Sequence, residues 1–394
     1  MDLYVLDKDF NQIAVIDDFK SLIWAKRYSN FGDCELYIRA CGEYIDTLNE
    51  GYYLVRNDDD MVCRLKSVEL DSNTEQGDFL IAVGQDVRCL LDQRVIWEQT
   101  NFTGTVEKYI RKLVTDNVIN PSMSARTLEN IILGDLAGLT ATISEQVTYA
   151  PLGEKIIEIC NAYSYGTRMW LNDANQLVFD VYEGVDRSYD QDVNDHVVFS
   201  SQYDNIISSK YKLDWSNLKN VVLVAGEGEG VARRRYILGT MEGYDRYELY
   251  VDARDVSSEV EEGQTIDYAA ALRARGIEAL GEYGTTISFE GEVEPNYSYK
   301  YGLDYKLGDI VQVMTDYGVS SSARITEVIE TFDENGYSII PTFEYRSIRI
   351  DDAGQEDSGS GSGGDDSGDD SGTVIEGDYE DITNEDIDNI FETT

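Results

Sequence analysis

The chain has 394 residues, enough for two to four domains, and its 42% hydrophobic and 11% aromatic content is that of a globular protein. The formal net charge is -44, from 76 acidic and 32 basic residues, and no basic stripe is present to neutralise phosphates, which argues against a nucleic-acid-binding protein. No stretch approaches the roughly 20 apolar residues of a membrane span.

Residues 1–98 are predicted to form a first β-barrel-like domain. Apolar runs at 3–6 and 12–16 flank a turn-rich segment, which predicts a hairpin. Residues 61–66 alternate apolar and polar side chains, as expected for a strand with one wet face. Short strands separated by frequent turns favour a barrel or sandwich.

The cysteines indicate a reducing environment. No C-x-x-C pair occurs and the odd number leaves no complete set of disulfides, so we expect buried free thiols made in a reducing cytoplasm. The five residues concerned are Cys34, Cys41, Cys63, Cys89 and Cys160.

Residues 99–194 are predicted to be an inserted α/β domain. Apolar side chains recur at helical spacing in 105–118 and again in 152–163, and 177–182 has the composition of a strand. Residues 195–350 are predicted to be a second β-rich domain with one helix at about 265–283, for which Thr265 is the expected cap. The run Asp-Glu-Asn-Gly at 333–336 predicts a hairpin with a type I′ turn at Asn-Gly.

The composition changes after residue 350. Residues 351–373 are mostly Asp, Ser and Gly, which predicts a flexible acidic linker. Residues 374–394 are predicted to be a short docking peptide, because Ile387, Ile390 and Phe391 fall on one face of a short helix that would be unstable alone. We expect these three residues to bind a groove on a neighbour.

The motifs of common catalytic and metal sites are missing. His196 is the sole histidine, and H-E-x-x-H, G-x-S-x-G and the P-loop are absent. The acidic run at 58–60 lacks the rhythm of a calcium-binding loop and is predicted to be a solvated turn. We therefore predict no catalytic, cofactor-binding or metal-binding residues, and no cofactor.

Five short segments, in their order and spacing, resemble the tail-hub (baseplate-hub) proteins of long-tailed bacteriophages. They are DRS at 186–188, VVFS at 197–200, YDRYE at 244–248, YGLDYKLGDIV at 301–311 and FDENGY at 332–337. The resemblance implies a mainly β fold with two barrel-like tail-tube-type domains and an α+β insertion.

The resemblance also implies a non-enzymatic function. Hub subunits form a homotrimeric ring that joins the tail tube and distal tail proteins above to a spike or fibre below, and phage DNA passes through the ring without sequence-specific binding. The expected location is the tip of the virion tail, after assembly in the cytoplasm of the host bacterium. The acidic balance agrees with a conduit for DNA, because residues 1–350 carry 60 acidic and 32 basic residues.

Two other classes remain open on the residues alone. A tail-associated hydrolase could cleave peptidoglycan or surface glycans with a carboxylate pair, although 76 acidic residues leave no means of locating it. A receptor-binding adhesin could use the abundant aromatic side chains on host sugars. In many hub relatives a lysozyme or peptidase domain follows the body, whereas this sequence continues into the acidic linker, which favours a structural protein.

Overall fold

A computed structural model describes residues 1–73, 77–258, 267–293, 299–315, 320–347 and 355–357. The protein is mainly β, with 44% strand and 20% helix arranged in several sheets, which confirms the predicted fold class. Among the described residues, no helix is long and apolar enough to cross a membrane.

The first β-rich region is built of antiparallel strands, and its predicted first hairpin is confirmed. The strands pair in the order β3-β4-β7-β6-β5-β1-β2 and enclose a core around Leu22, Trp24 and Leu36. The elements are β1 (Leu3–Leu6), β2 (Gln12–Ile16), β3 (Ser21–Arg27), β4 (Asp33–Arg39), α1 (Gly42–Thr47), β5 (Tyr53–Arg56), β6 (Val62–Asn73) and β7 (Gly77–Asp86).

The insert contains both predicted helices and the predicted strand at 177–182. Its helices bury their apolar faces in the largest core of the protein, and two small sheets, of two and three strands, complete it. The elements are β8 (Thr100–Thr105), α2 (Val106–Val114), β9 (Ile131–Leu133), β10 (Thr142–Val147), α3 (Leu152–Tyr163), β11 (Gly166–Leu171) and β12 (Leu177–Tyr182).

The last part of the chain contributes ten further strands and one helix. They are β13 (Val198–Ser200), β14 (Ile206–Asp214), β15 (Val221–Ala225), β16 (Arg235–Leu238), β17 (Glu248–Asp252), α4 (Tyr268–Gly281), β18 (Thr285–Val293), β19 (Ile310–Met314), β20 (Ser320–Asp333), β21 (Gly336–Ser347) and β22 (Gln355–Asp357). The predicted strands are present, but they divide between two sheets. Strands β15, β16, β17 and β22 form a separate layer, and α4 packs on it.

Helix α4 confirms the predicted helix near 265–283, with a different cap. Asp267 is the N-terminal cap, and its side chain accepts a hydrogen bond of 3.0 Å from the backbone N–H of Ala270. The predicted cap, Thr265, lies outside the described residues.

The hairpin at 333–336 is also confirmed, whereas its predicted turn type is wrong. Asp333 pairs with Gly336, so the two central loop residues are Glu334 and Asn335. A type I′ turn needs positive φ at both central residues, but here the positive φ, of 120°, belongs to Gly336. The glycine is therefore required one position beyond the loop.

One sheet runs through both β-rich regions. Strand β20 pairs antiparallel with β3, and the full order is β14-β18-β21-β20-β3-β4-β7-β6-β5-β1-β2, with β13 and β19 attached beside β20. The sheet has thirteen strands, and β2 and β14 are the two ends of its path. Strands from residues 3–86 and strands from residues 198–347 thus form a continuous wall.

Two of the five cysteines are not free, contrary to the expectation. Cys34 in β4 and Cys63 in β6 form a disulfide across β7, which lies between these strands. Gly84 of β7 lies beneath the pair, where a Cβ atom would come within 2.9 Å of the Cys63 sulfur. Cys89 and Cys160 are buried free thiols as predicted, and Cys41 is a free thiol on the surface.

The acidic linker contains a strand that its composition does not predict. Residues 355–357 form β22, which pairs antiparallel with β16 and sets Asp357 opposite Arg235 in the register. The predicted fully flexible linker is therefore wrong at these three residues. The rest of the linker and the docking residues Ile387, Ile390 and Phe391 lie outside the described residues.

Candidate assembly surface

A buried group of charges lies where the two β-rich regions meet. We call it the seam cluster: Lys26, Arg56, Asp59 and Glu330, from β3, β5, the following loop and β20. Lys26 Nζ lies 3.0 Å from Glu330 Oε2 and also contacts Asp59, and Arg56 NH1 lies 3.1 Å from the same Glu330 oxygen. Two cations and two carboxylates thus neutralise each other inside the wall.

Neighbouring side chains complete the hydrogen bonding of the seam cluster. The indole of Trp24 donates to Asp59 at 3.1 Å, and the hydroxyl of Tyr337 donates to Glu330 at 3.0 Å. The guanidinium of Arg56 also stacks over Phe332 at 4.7 Å. Because a buried charge is tolerated when it is paired and hydrogen-bonded, the cluster holds the seam in one geometry.

The electrostatics of the seam cluster favour the charged forms. Burial opposes the charge of Lys26, but Tyr301, Asp59 and Glu330 raise its pKa above the ordinary value. Burial likewise opposes the charge of Asp59, yet Lys26 and Arg56 hold the pKa of that carboxyl below its ordinary value. The predicted solvated turn at 58–60 is therefore wrong for Asp59, which is a buried structural carboxylate.

A second buried cluster attaches the insert to α4. It consists of Glu145 on β10, Lys155 on α3 and Glu278 on α4. The ammonium group of Lys155 contacts the carboxylates of both glutamates, and it lies 2.5 Å from the carboxylate of Glu278. Burial and the charge of Glu145 raise the pKa of Glu278 to about 8, against its ordinary value of 4.5. Sequence patterning missed both clusters, since the contacting residues are far apart in the chain.

Both ends of the long sheet expose apolar side chains. Strand β2 pairs within the described residues with β1 alone and exposes Ile13 and Val15, and β14 pairs with β18 alone and exposes Ile207 and Tyr211. Open edges carry unpaired backbone donors and acceptors, which readily add a strand from another chain. Tyr211 also lines a small apolar pocket together with side chains of β18, β19, β20 and β21.

The sole histidine of the sequence, His196, contacts residues of its own loop. A ring nitrogen of His196 lies 2.8 Å from the backbone oxygen of Gln191, and its ring packs edge-on against Tyr189. Within the described ranges no group of three or more His, Cys, Asp or Glu residues could hold a metal ion. His196 therefore has the contacts of a residue that closes a loop.

A family model described as "Siphovirus ReqiPepy6 Gp37-like protein" matches residues 2–343. No curated protein matches the chain. Many solved structures match its fold, and three of them each align with 87% of this chain. The first is the tail protein from Neisseria meningitidis MC58, with a TM-score of 0.55, 14% identity and 96% of that chain covered. The second is the prophage MuSo2 43 kDa tail protein from Shewanella oneidensis, with a TM-score of 0.53, 11% identity and 98% of that chain covered. The third is the prophage tail protein gp18 from Listeria monocytogenes EGD-e, with a TM-score of 0.50, 13% identity and 94% of that chain covered. The chain belongs to the Siphovirus ReqiPepy6 Gp37-like protein family.

Proposed function

We propose that the protein is the hub subunit of a phage tail tip. Three copies form a ring that joins the tail tube and distal tail proteins above to a central spike or fibre below, and DNA passes through the ring without sequence-specific binding. The protein works in the virion after assembly in the host cytoplasm, and its role is structural.

The observation that carries this proposal is the continuous thirteen-stranded sheet with an open edge at each end. A ring of identical subunits needs two complementary edges on each copy, and β2 and β14 are available for that purpose. The seam cluster supports the proposal because it locks the β-rich regions of one copy into a rigid unit.

The acidic surplus supports the conduit. Residues 1–350 carry 60 acidic against 32 basic residues, and negative side chains along a lumen would repel DNA from its wall. A conduit of this kind requires no catalytic group.

The test compares assembly of the wild-type chain with an edge variant, Ile13→Lys together with Val15→Lys. Light scattering and negative-stain images of the wild type should show a threefold ring with a central hole, and the edge variant should stay monomeric, since charges on an edge strand oppose pairing. The control is Val193→Lys, at a fully exposed loop position, which should still form rings.

Either of two results would overturn the proposal. One is a wild-type chain that remains a monodisperse monomer at every concentration. The other is an edge variant that assembles as well as the control.

A further inference from the structure

Exposed apolar side chains are grouped where the first β-rich region passes into the insert. We call this group the aromatic patch. It consists of Val95, Trp97, Met123 and Tyr149, whose exposed fractions are 40%, 48%, 50% and 78%. Exposed Trp, Tyr and Met side chains in one place are typical of the centre of a binding site.

Backbone hydrogen bonds bring three of these residues onto one surface. Ile96 N–H donates to the oxygen of Ala150 at 2.9 Å, and Tyr149 N–H donates to the oxygen of Ile96 at 2.7 Å. These bonds, with the bridge between Val95 and Pro151, place the backbone around Trp97 next to that of Tyr149. Ile96 faces the other way and is fully buried.

Tyr149 is held there against the preference of its backbone. Its φ is +56°, in the left-handed region that is unfavourable for a residue with a Cβ atom. Such outliers persist where the surrounding structure imposes them and are concentrated at functional sites.

Two arginines beside the patch have no acidic partner. Arg126 lies over the Trp97 ring at 4.4 Å and donates to the oxygens of Val95 and Asn117, and Arg94 donates to the backbone oxygens of Arg126 and Gln93. Within the described part of the chain, neither guanidinium contacts a carboxylate. Burial and the charge of Arg126 lower the pKa of Arg94 below its ordinary value. Uncompensated cations in so acidic a protein indicate an acidic ligand.

We propose that the aromatic patch binds the chain's own C-terminal peptide, residues 383–391. That peptide combines the two properties the patch selects for: Ile387, Ile390 and Phe391 are apolar, and acidic side chains at 385, 386 and 388 surround them. The apolar residues cover Trp97 and Tyr149, and the acids face Arg94, the less buried of the two arginines.

The segment between β22 and the peptide, residues 358–382, is 25 residues long. It follows β22, which pairs with β16. The loop after β17 contacts β10 through hydrogen bonds between Ser257 and Gln146, three residues before Tyr149. A Gly/Ser-rich chain of this length has a root-mean-square reach of about 25–30 Å. Covalent attachment gives a peptide within such a reach an effective concentration of about millimolar, which favours the peptide of the same chain over another copy.

The first experiment places a photoreactive p-benzoylphenylalanine at position 391 of the full chain. At low protein concentration, irradiation should join position 391 to Trp97, Met123 or Tyr149 of the same chain, as mapped by mass spectrometry. Adding Ile387→Asp and Ile390→Asp should abolish these adducts. Adducts elsewhere, adducts between chains, or adducts that survive the aspartates would overturn the proposal.

The second experiment measures the affinity of a labelled peptide of residues 377–394 by fluorescence anisotropy. The receptor is the full chain with Ile387→Asp and Ile390→Asp, whose own peptide leaves the patch empty. Tyr149→Gly should weaken binding about tenfold or more, because it removes a central aromatic contact while relieving the backbone. The matched control is Tyr244→Gly at a fully exposed tyrosine elsewhere, which should leave the affinity unchanged.

Equal affinity in the two glycine variants, or no measurable binding, would overturn the proposal. Neither experiment depends on ring formation, so the docking site and the hub function can fail separately. Tyr149→Gly should also raise the midpoint of thermal unfolding, since glycine adopts φ of +56° without strain. A purely structural role for Tyr149 predicts a lower midpoint instead.

Discussion

Arg56 and Glu330 are 274 residues apart in the chain, and their side chains meet at 3.1 Å inside the wall that the two β-rich regions share. The carboxylate of Glu330 also accepts from Lys26 and Tyr337. Glu330 is therefore the residue on which the seam cluster converges.

Replacing Glu330 with Gln should destabilise the protein strongly. The change leaves Lys26 and Arg56 buried with one carboxylate fewer, and breaking a buried ion pair by removing one partner costs about 3–5 kcal/mol. We expect a loss at the lower end of this range, because Lys26 keeps Asp59 as a partner and Arg56 keeps Asp58. Urea unfolding followed by tryptophan fluorescence measures the loss.

The control for that measurement is Asp116→Asn. Asp116 pairs with Lys112 at 2.6 Å on the surface, with both side chains about 40% exposed, so its loss should cost less than about 0.5 kcal/mol. Similar losses in the two variants would show that the seam cluster contributes no more than a surface ion pair.

The stability of the protein should fall as pH rises through the range in which Glu278 titrates. Its folded pKa of about 8 lies above the ordinary value of 4.5, so the folded state binds a proton that the unfolded state releases. The stabilisation is present below about pH 4.5 and is lost towards pH 8, at no more than about 1.4 kcal/mol per pH unit.

Glu278→Gln should remove the pH-dependent contribution of Glu278 to stability. The difference between the free energies of unfolding of wild type and variant should therefore change with pH. Thermal unfolding from pH 5 to pH 9 provides the comparison. Glu158→Gln is the control, because Glu158 also faces Lys155, at 3.8 Å, but is 41% exposed. Curves for Glu278→Gln that run parallel to wild type would contradict the assignment.

Gly84→Ala should destabilise the first β-rich region. The new Cβ atom would lie 2.9 Å from the Cys63 sulfur and 3.0 Å from both the Cys34 sulfur and the Arg64 backbone oxygen, and overpacking of this kind costs about 1–3 kcal/mol. Calorimetry of the variant measures the loss of stability.

The control is Gly42→Ala in α1. Nothing lies within 4 Å of its Cβ position, so this alanine should be neutral or stabilising. Equal changes in unfolding temperature for the two alanine variants would contradict the interpretation.

Local patterns predicted the elements well, because a hairpin or an amphipathic helix depends on residues close in the chain. The β1–β2 hairpin, α2 and α3 are examples. The pairing of β3 with β20 is not visible in this way, since it joins residues about 300 positions apart. Lys26 illustrates the difficulty: in an alternating strand a lysine indicates a wet face, and its buried partners come from two other segments.

The disulfide was missed for a related reason. Cys34 and Cys63 are 29 residues apart and lie on strands that do not pair with each other, so sequence spacing does not connect them. The glycine at 84 was the available signal, because a glycine inside a strand indicates close approach by another group.

The pairing of β3 with β20 affects how the protein is made. Strand β3 leaves the ribosome some 300 residues before its partner, a delay of about 15–60 s at ordinary rates of protein synthesis. During that interval the nascent chain presents an unsatisfied strand edge with Ile23 beside it, and such edges attract aggregation. Slower translation or a shortage of chaperones should therefore reduce the yield of folded protein more than any single surface substitution does.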